Sequence, residues 1–545
     1  MITARNIVSL FIGVTILSLT FNPFRNILDI PHQSAIFVVS FLSCAIAIFT
    51  LIFSQNPRSL RITAIDLWVI IIAIGGIYFN HPFSKLFDWG CFSLLLIYWS
   101  IRQVGKMNAI ILYNLSLVAV FVLSFIGYLQ NFQILQSYHL SFAITGPFGN
   151  PSIYAGVLCL LTNVPIIGLL FFKKRPSFSI HMIVTVLILL LAIIMLWMTR
   201  CRSAWIAFII VVVYIVNYRF QLLNRFHFSK RAFLFLGIGV LFSALSFAYV
   251  LYQVKPASAE GRILIWKVTS QMIKKKPVSG FGADGFNADY MYFQAEYLKT
   301  KGSIREKSLA DNNHSVYNEP LRWIVEYGIG GLLLYVYILC IILFYKPRNV
   351  QSLSSKSVLI AGLLWGFFSN AEQAFPILVI MISALAVLSN FYPVCWIRLR
   401  SKSFLLLRII LFTVALWQGY MSVHMYQSHR CLFQIFDQAA DIRSDDVLKK
   451  LITFETKMKN EKCFWGTYCH LLNKCRKDSA LLEKIGHWEQ LYPSSETYIL
   501  QGDVYRRLGR QYEAEKSYWT AHYMVPFRQK ARTRLAILYY EQELP

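Results

Sequence analysis

His181-Met182-Ile183-Val184-Thr185-Val186-Leu187-Ile188-Leu189-Leu190-Leu191-Ala192-Ile193-Ile194-Met195-Leu196-Trp197-Met198-Thr199 runs without a single Lys, Arg, Asp or Glu. As a helix it is roughly 28 Å long, close to the about 30 Å of a bilayer's hydrocarbon core. It ends at Arg200-Cys201-Arg202, and 203–218 is apolar again. Working outward in both directions gives about thirteen apolar spans of helix length. They lie near 7–22, 34–53, 64–80, 88–101, 108–130, 152–172, 181–199, 203–218, 232–252, 329–345, 357–371, 375–395 and 403–424. The first is not followed by a small-residue cleavage site, as in a signal peptide, but by Asn22, Pro23 and Phe24, so it is read as a membrane helix.

Composition agrees. Of 545 residues, 56% are hydrophobic and 15% charged, against about 25% charged in an ordinary soluble domain. Mean hydropathy is +0.51. These values exclude a disordered chain and an all-soluble enzyme, and predict a polytopic all-α membrane protein with 12–13 transmembrane helices. Aromatics at 16% fit interfacial belts.

The net charge of +26 resembles a nucleic-acid binder's until the cations are placed. With the N-terminus inside and loops alternating, the inside loops hold eighteen Lys and Arg, Arg102 and Lys356 among them. The short outside loops hold four: Arg25, Lys85, Arg200 and Arg202. That asymmetry is the positive-inside rule at work. Much of the charge is therefore topology, and no nucleic-acid partner is expected. Four regions follow: spans within 1–252, an outside loop 253–328, spans within 329–424, and an outside region 425–545.

Of ten cysteines, six lie in or beside spans, where Cys is a small apolar residue. Cys431, Cys463, Cys469 and Cys475 lie in the C-terminal region, where an oxidising compartment would permit disulfides, but no pairing follows from sequence. No His/Cys cluster has zinc spacing, and no metal or cofactor is expected.

In the C-terminal region, 495–528 fits a 34-residue helix–turn–helix pattern, with Tyr498, Gly502, Tyr505, Ala514, Tyr518, Ala521 and Pro526 at its offsets. Gln501 departs from the usual Leu; a degenerate copy precedes at 461–494, and Leu535, Ala536 and Tyr539 restart the pattern. This resembles tetratricopeptide repeats, which bind peptides or act as scaffolds. The alternative is a packing cap on the membrane domain.

The loop 253–328 carries the informative motifs. Gly261-Arg262, Trp266 and Lys274-Lys275-Lys276-Pro277 predict a short helix stopped by the proline. Gly280-Phe281-Gly282 is a glycine-rich turn, weak as a phosphate cradle because no strand precedes it and no Lys-Ser/Thr follows. Asp311-Asn312-Asn313-His314 and Tyr317-Asn318-Glu319 then lead into Glu326-Tyr327-Gly328 at the next span.

This order resembles the O-antigen ligase and O-antigen polymerase superfamily, which includes the bacterial O-oligosaccharyltransferases. The likeness is specific over about 200–376. Arg200-Cys201-Arg202-Ser203 looks like the family's outer Ser-Arg motif, with Cys201 for the usual Ser, and Gly149-Asn150-Pro151 looks like its Asn-bearing outside motif. The resemblance implies a GT-C-like, metal-independent inverting glycosyltransferase. It would sit in the bacterial cytoplasmic (inner) membrane with its catalytic face periplasmic. The donor would be a glycan on undecaprenyl diphosphate; the acceptor would be a hydroxyl of lipid A–core, of another glycan, or of a protein.

Elementary chemistry assigns roles. Arginines stabilise a departing diphosphate by charge-assisted hydrogen bonds, and Arg202 and Arg262 are both expected outside. A hydroxyl acceptor needs a base or an orienting group, and His314 is expected on that side. Many relatives have His where this chain has Tyr317; on a helix, 314, 317 and 318 would share a face. Either His314 serves as base, or Tyr317, Asn318 or Glu319 orients the acceptor. Asn150, Arg200 and Glu372, an acid near the outer membrane edge, are candidates for positioning donor or acceptor. Competing readings are a flippase of lipid-linked glycans, which would need ionisable residues at mid-membrane depth, and a membrane-anchored scaffold.

Overall fold

A computed structural model describes residues 4–20, 31–53, 59–78, 89–139, 142–172, 178–222, 252–253, 256–369, 374–393, 395–398, 401–438 and 444–543. The described chain is helical, apart from one antiparallel ribbon pairing Ser59–Ile62 with Cys395–Arg398. Each strand is only four residues long, and the fold class is all-α as the sequence predicts. The chain divides into two compact units: 1–75, 87–237 and 334–429 form the first, and 76–86, 238–333 and 430–545 the second.

Among the described residues, seven helices are long and apolar enough to cross a membrane: Ile36–Phe53, Ala109–Asn131, Pro151–Phe171, Ile180–Met198, Arg202–Phe220, Glu319–Phe344 and Leu405–Leu432. Ala4–Ser18, Ala64–Gly75 and Phe375–Ser389 are shorter apolar helices. The expected spans at 88–101 and 357–371 correspond to helices Trp89–Val104 and Val350–Gly366. The expected span at 232–252 lies almost entirely outside the described residues.

Burial sorts the first unit's helices. In Pro151–Phe171, 78% of the apolar window is buried, against 28% in Ile180–Met198. The former is a central helix. The latter exposes Ile180, Ile183, Leu187, Leu190, Ile194 and Trp197, one stripe at spacings of three and four. Water would not tolerate such a stripe, but lipid would. The chain is a multi-pass membrane protein.

Two charges assigned to loops belong to helices instead. Val350–Gly366 starts earlier than hydropathy suggests because Asn349 caps it, accepting from the Ser352 amide at 2.9 Å. Lys356 is thereby buried in the helix. Its ammonium donates to the carbonyls of Leu343 (2.8 Å) and Tyr345 (2.7 Å), satisfying the end of Glu319–Phe344. Arg102 lies in the last turn of Trp89–Val104 and donates through Nε and Nη2 to both oxygens of Asp66, at 2.8 and 2.7 Å. Tyr98 donates to the same carboxylate, and Arg102 also donates to Asn390. A buried ion pair tolerates removal from water only with such additional hydrogen bonds.

In the second unit, helix Pro256–Lys275 ends with Lys274 and Lys275 in its last turn, before Pro277. Helices Gly285–Thr300 and Ile304–Leu309 follow. The C-terminal helices of this unit are Ser444–Ile452, Lys462–Lys474, Asp478–Leu491, Ser495–Arg507, Gln511–Met524 and Gln529–Glu543. The pattern at 495–528 falls on the pair Ser495–Arg507 and Gln511–Met524, and buried Ala514, Tyr518, Leu535 and Leu538 form a core where the pattern repeats. A second core joins sequence-distant parts. Leu264, Val268, Met272, Phe286, Tyr290, Val316 and Val325 pack with Met524 and Val525. The expected loop 253–328 is thus a folded region sharing a core with the C-terminal helices. None of the ten cysteines is joined in a disulfide.

Candidate active site

The second unit assembles most of the expected residues around segment 310–318. Helix Pro256–Lys275 approaches it twice. The Trp266 indole donates to the Val316 carbonyl at 2.9 Å, and one turn earlier the Arg262 guanidinium carbon lies 5.3 Å from the centroid of the Tyr317 ring. The flat guanidinium and the ring form a cation–π pair. Burial pushes the Tyr317 phenol above its usual range, opposed by the nearby Arg262 charge. The phenol is therefore neutral at physiological pH and can donate a hydrogen bond.

Segment 310–318 is not helical, so 314, 317 and 318 do not share a helical face. The cause is local. Asn318 caps the following helix, its side chain accepting from the Leu321 amide at 2.9 Å. Tyr317, just before it, takes a left-handed backbone with φ 53°. A Tyr held there costs on the order of 1–2 kcal/mol, a strain typical of sites that aim a side chain.

His314 is half-buried, with both ring nitrogens out of contact with solvent. Its ring stacks on Tyr492, centroids 3.5 Å apart and planes 22° from parallel. Burial first, and the Lys462 charge second, lower its pKa to about 3, against a smaller upward effect of the Asn287 backbone. The imidazole is neutral near pH 7, but too weakly basic to keep a proton there.

Behind Asn318 lies a charge cluster that motif reading passed over. Arg322 donates to Glu319 at 3.0 Å and to Glu326 at 2.7 Å. Both carboxylates are buried and Arg322 is half-buried. The signal was available: acids at −3 and +4 from an arginine lie on one helical face.

The glycine-rich turn has a structural task. Phe281 and Gly282 donate their amides to the carbonyls of Val325 and Glu326, both at 2.9 Å, and the Ile329 amide donates to Pro277. Amides spent this way do not cradle a phosphate. Helix Glu319–Phe344 breaks at Gly328, φ 62° and ψ −157°. A Cβ there would fall 1.9 Å from the Val278 carbonyl oxygen. Glu326-Tyr327-Gly328 therefore shapes the helix entry.

Asn150, Arg200 and Arg202 belong to the first unit. Asn150 caps helix Pro151–Phe171, accepting from the Ser152 amide at 2.8 Å. Ser152 hydrogen-bonds Ser369 at 2.8 Å and contacts the Cys201 thiol at 3.5 Å, gathering three helix ends. Arg200 is exposed, with a left-handed backbone. Arg202 opens helix Arg202–Phe220, where the macrodipole disfavours a cation by about 0.3–1 kcal/mol. Helix stability therefore does not explain a base at that position. Trp197 and Trp205 stack at 4.3 Å beside this turn, as interfacial aromatics do. Glu372 lies outside the described residues. Among the described residues, no group of three or more His, Cys, Asp or Glu could hold a metal ion.

Residues 187–336 match the family model described as O-antigen ligase. The matched stretch contains Arg200, Arg202, Arg262, His314, Tyr317, Asn318 and Glu319. No curated protein matches the chain.

Proposed function

From the premise that this chain carries an O-antigen ligase domain at residues 187–336, we propose that it transfers a glycan from undecaprenyl diphosphate to an acceptor hydroxyl at the periplasmic face of the bacterial inner membrane. The acceptor is lipid A–core or a similar glycolipid. A growing glycan or a protein hydroxyl would use the same donor chemistry.

In the reaction, the acceptor oxygen attacks the anomeric carbon as its bond to the diphosphate oxygen breaks. The configuration inverts, the bonding pair leaves with the diphosphate, and the hydroxyl proton passes to the departing diphosphate or to water. Arg262 and Arg202 stabilise the charge that develops on the diphosphate. Arg200 and Asn150 have positioning roles, Asn150 by fixing the helix end it caps. Tyr317 donates a hydrogen bond to the departing group or the sugar, while Asn318 and Glu319 orient the acceptor. Glu372 is kept as a candidate positioning residue on sequence grounds alone. His314 serves as base or positions the acceptor; its stacking on Tyr492 and its lowered basicity favour positioning.

The observation that carries this reading is the Arg262–Tyr317 pair, set beside a strained, motif-bearing segment. The test is deletion in the source bacterium, complemented with wild type or Arg262→Ala at matched protein level. Loss of glycan capping of lipopolysaccharide, restored by wild type and not by Arg262→Ala, supports it. Full restoration by Arg262→Ala contradicts it. If lipopolysaccharide is unaffected but glycoproteins lose their glycans, the acceptor is protein.

A further inference from the structure

The C-terminal region meets the motif segment at Asp311, Asn312, His314 and Val316. The Asp311 carboxylate accepts from Arg528 at 2.5 Å, and Arg528 also reaches the Ser495 hydroxyl at 3.3 Å. The Asp311 carbonyl accepts from buried Gln294 at 3.0 Å; the same amide donates to the Met524 carbonyl at 2.8 Å. The Asn312 side chain accepts from the Ser495 amide at 3.0 Å, supplying an extra cap to helix Ser495–Arg507. His314 stacks on Tyr492, and the Lys462 ammonium lies 4.5 Å from the centroid of the same ring. Val316 shares its hydrophobic core with Met524 and Val525.

The C-terminal contacts come from Tyr492, Ser495, Met524–Val525 and Arg528, and fall on Asp311, Asn312, His314 and Val316, just before Tyr317 and Asn318. A domain that only recruited partners would have no need to meet the motif at this density. A polar segment without helix or strand has few internal bonds to fix it, so whatever fixes it must come from outside.

We propose that the C-terminal helical domain is a working part of the transfer site, in which Tyr492, Ser495 and Arg528 are positioning residues that hold 311–314 and thereby aim Tyr317 and Asn318. This deepens the glycan-transfer reading and rests on it for the reaction affected. The holding itself is a separate physical claim.

The experiment uses full-length protein in nanodiscs and two readouts. The first is carbethoxylation of His314 by diethyl pyrocarbonate, followed by peptide mass spectrometry. The second is transfer from an undecaprenyl-diphosphate glycan, resolved into kcat and KM. Wild type should protect His314, and Tyr492→Ala should expose it, reacting roughly tenfold faster. Tyr492→Ala should lower kcat by about 100-fold through misplacement, with KM little changed. Tyr492→Phe, which keeps the stack, should restore both readouts. Because Tyr492→Ala could fail to fold, a charge exchange supplies a second arm. Arg528→Asp should lose transfer, and Arg528→Asp with Asp311→Arg should recover it. Equal His314 reactivity in wild type and Tyr492→Ala overturns the holding. Exposure of His314 with unchanged transfer overturns the positioning role. A wild type with protected His314 and no transfer overturns the glycan-transfer reading and the positioning role with it, while supporting the holding.

Discussion

The imidazole of His314 lies against the phenol ring of Tyr492 at 3.5 Å, although 178 positions separate them in sequence. Because burial lowers the folded-state pKa from 6.5 to about 3, protons bind the unfolded chain more readily across that window. The contribution of this one group to stability is therefore fully present above pH 6.5 and is lost as pH falls towards 3, on the order of 2 kcal/mol by pH 5. The check is the unfolding midpoint at pH 7.5 and pH 5 for wild type and His314→Phe. A smaller pH dependence in His314→Phe is expected; identical dependence contradicts the buried neutral state.

Arg322 faces two buried carboxylates. Replacing it with Ala leaves Glu319 and Glu326 without that cation and should cost about 3–5 kcal/mol. Replacing all three by apolar residues of similar volume should cost much less. Denaturant titration of the two variants measures the difference, and equal losses would remove the ion-pair account.

Gly328 lets the helix break where the Pro277–Gly282 turn crosses it. Gly328→Ala puts a methyl on a carbonyl oxygen and forces an L residue into a left-handed backbone, so loss of folded protein is expected. Gly330→Ala, two residues on, meets nothing within 4 Å and should express normally. Yields in membranes compare the two directly.

The membrane helices were legible in the sequence because a bilayer dictates both length and composition, as at 181–199. Their ends were less so. Asn349 starts a helix among polar residues that hydropathy reads as loop, and the burial of Lys356 depends on a carbonyl cluster from another helix. The 495–528 helix pair was visible in its period. Arg262 and Tyr317 were named from the motif, but the left-handed turn at Tyr317 and the absence of a helix across 314–318 were not, because both follow from Asn318 acting as a cap. Tyr492 gave no signal at all. Its importance lies in a tertiary contact between distant segments, and a single sequence contains no spacing rule for such a contact.

The central claim is that Arg262 serves glycan transfer. Its most direct test measures release of undecaprenyl diphosphate, coupled to acceptor glycosylation, by purified wild type and Arg262→Ala in nanodiscs. The account predicts turnover by wild type and a loss of about 10²–10³ in kcat for well-folded Arg262→Ala, the cost of removing a donor aimed at developing charge. Wild-type turnover by Arg262→Ala, or a wild type that moves the donor across a bilayer with its diphosphate bond intact, would contradict it.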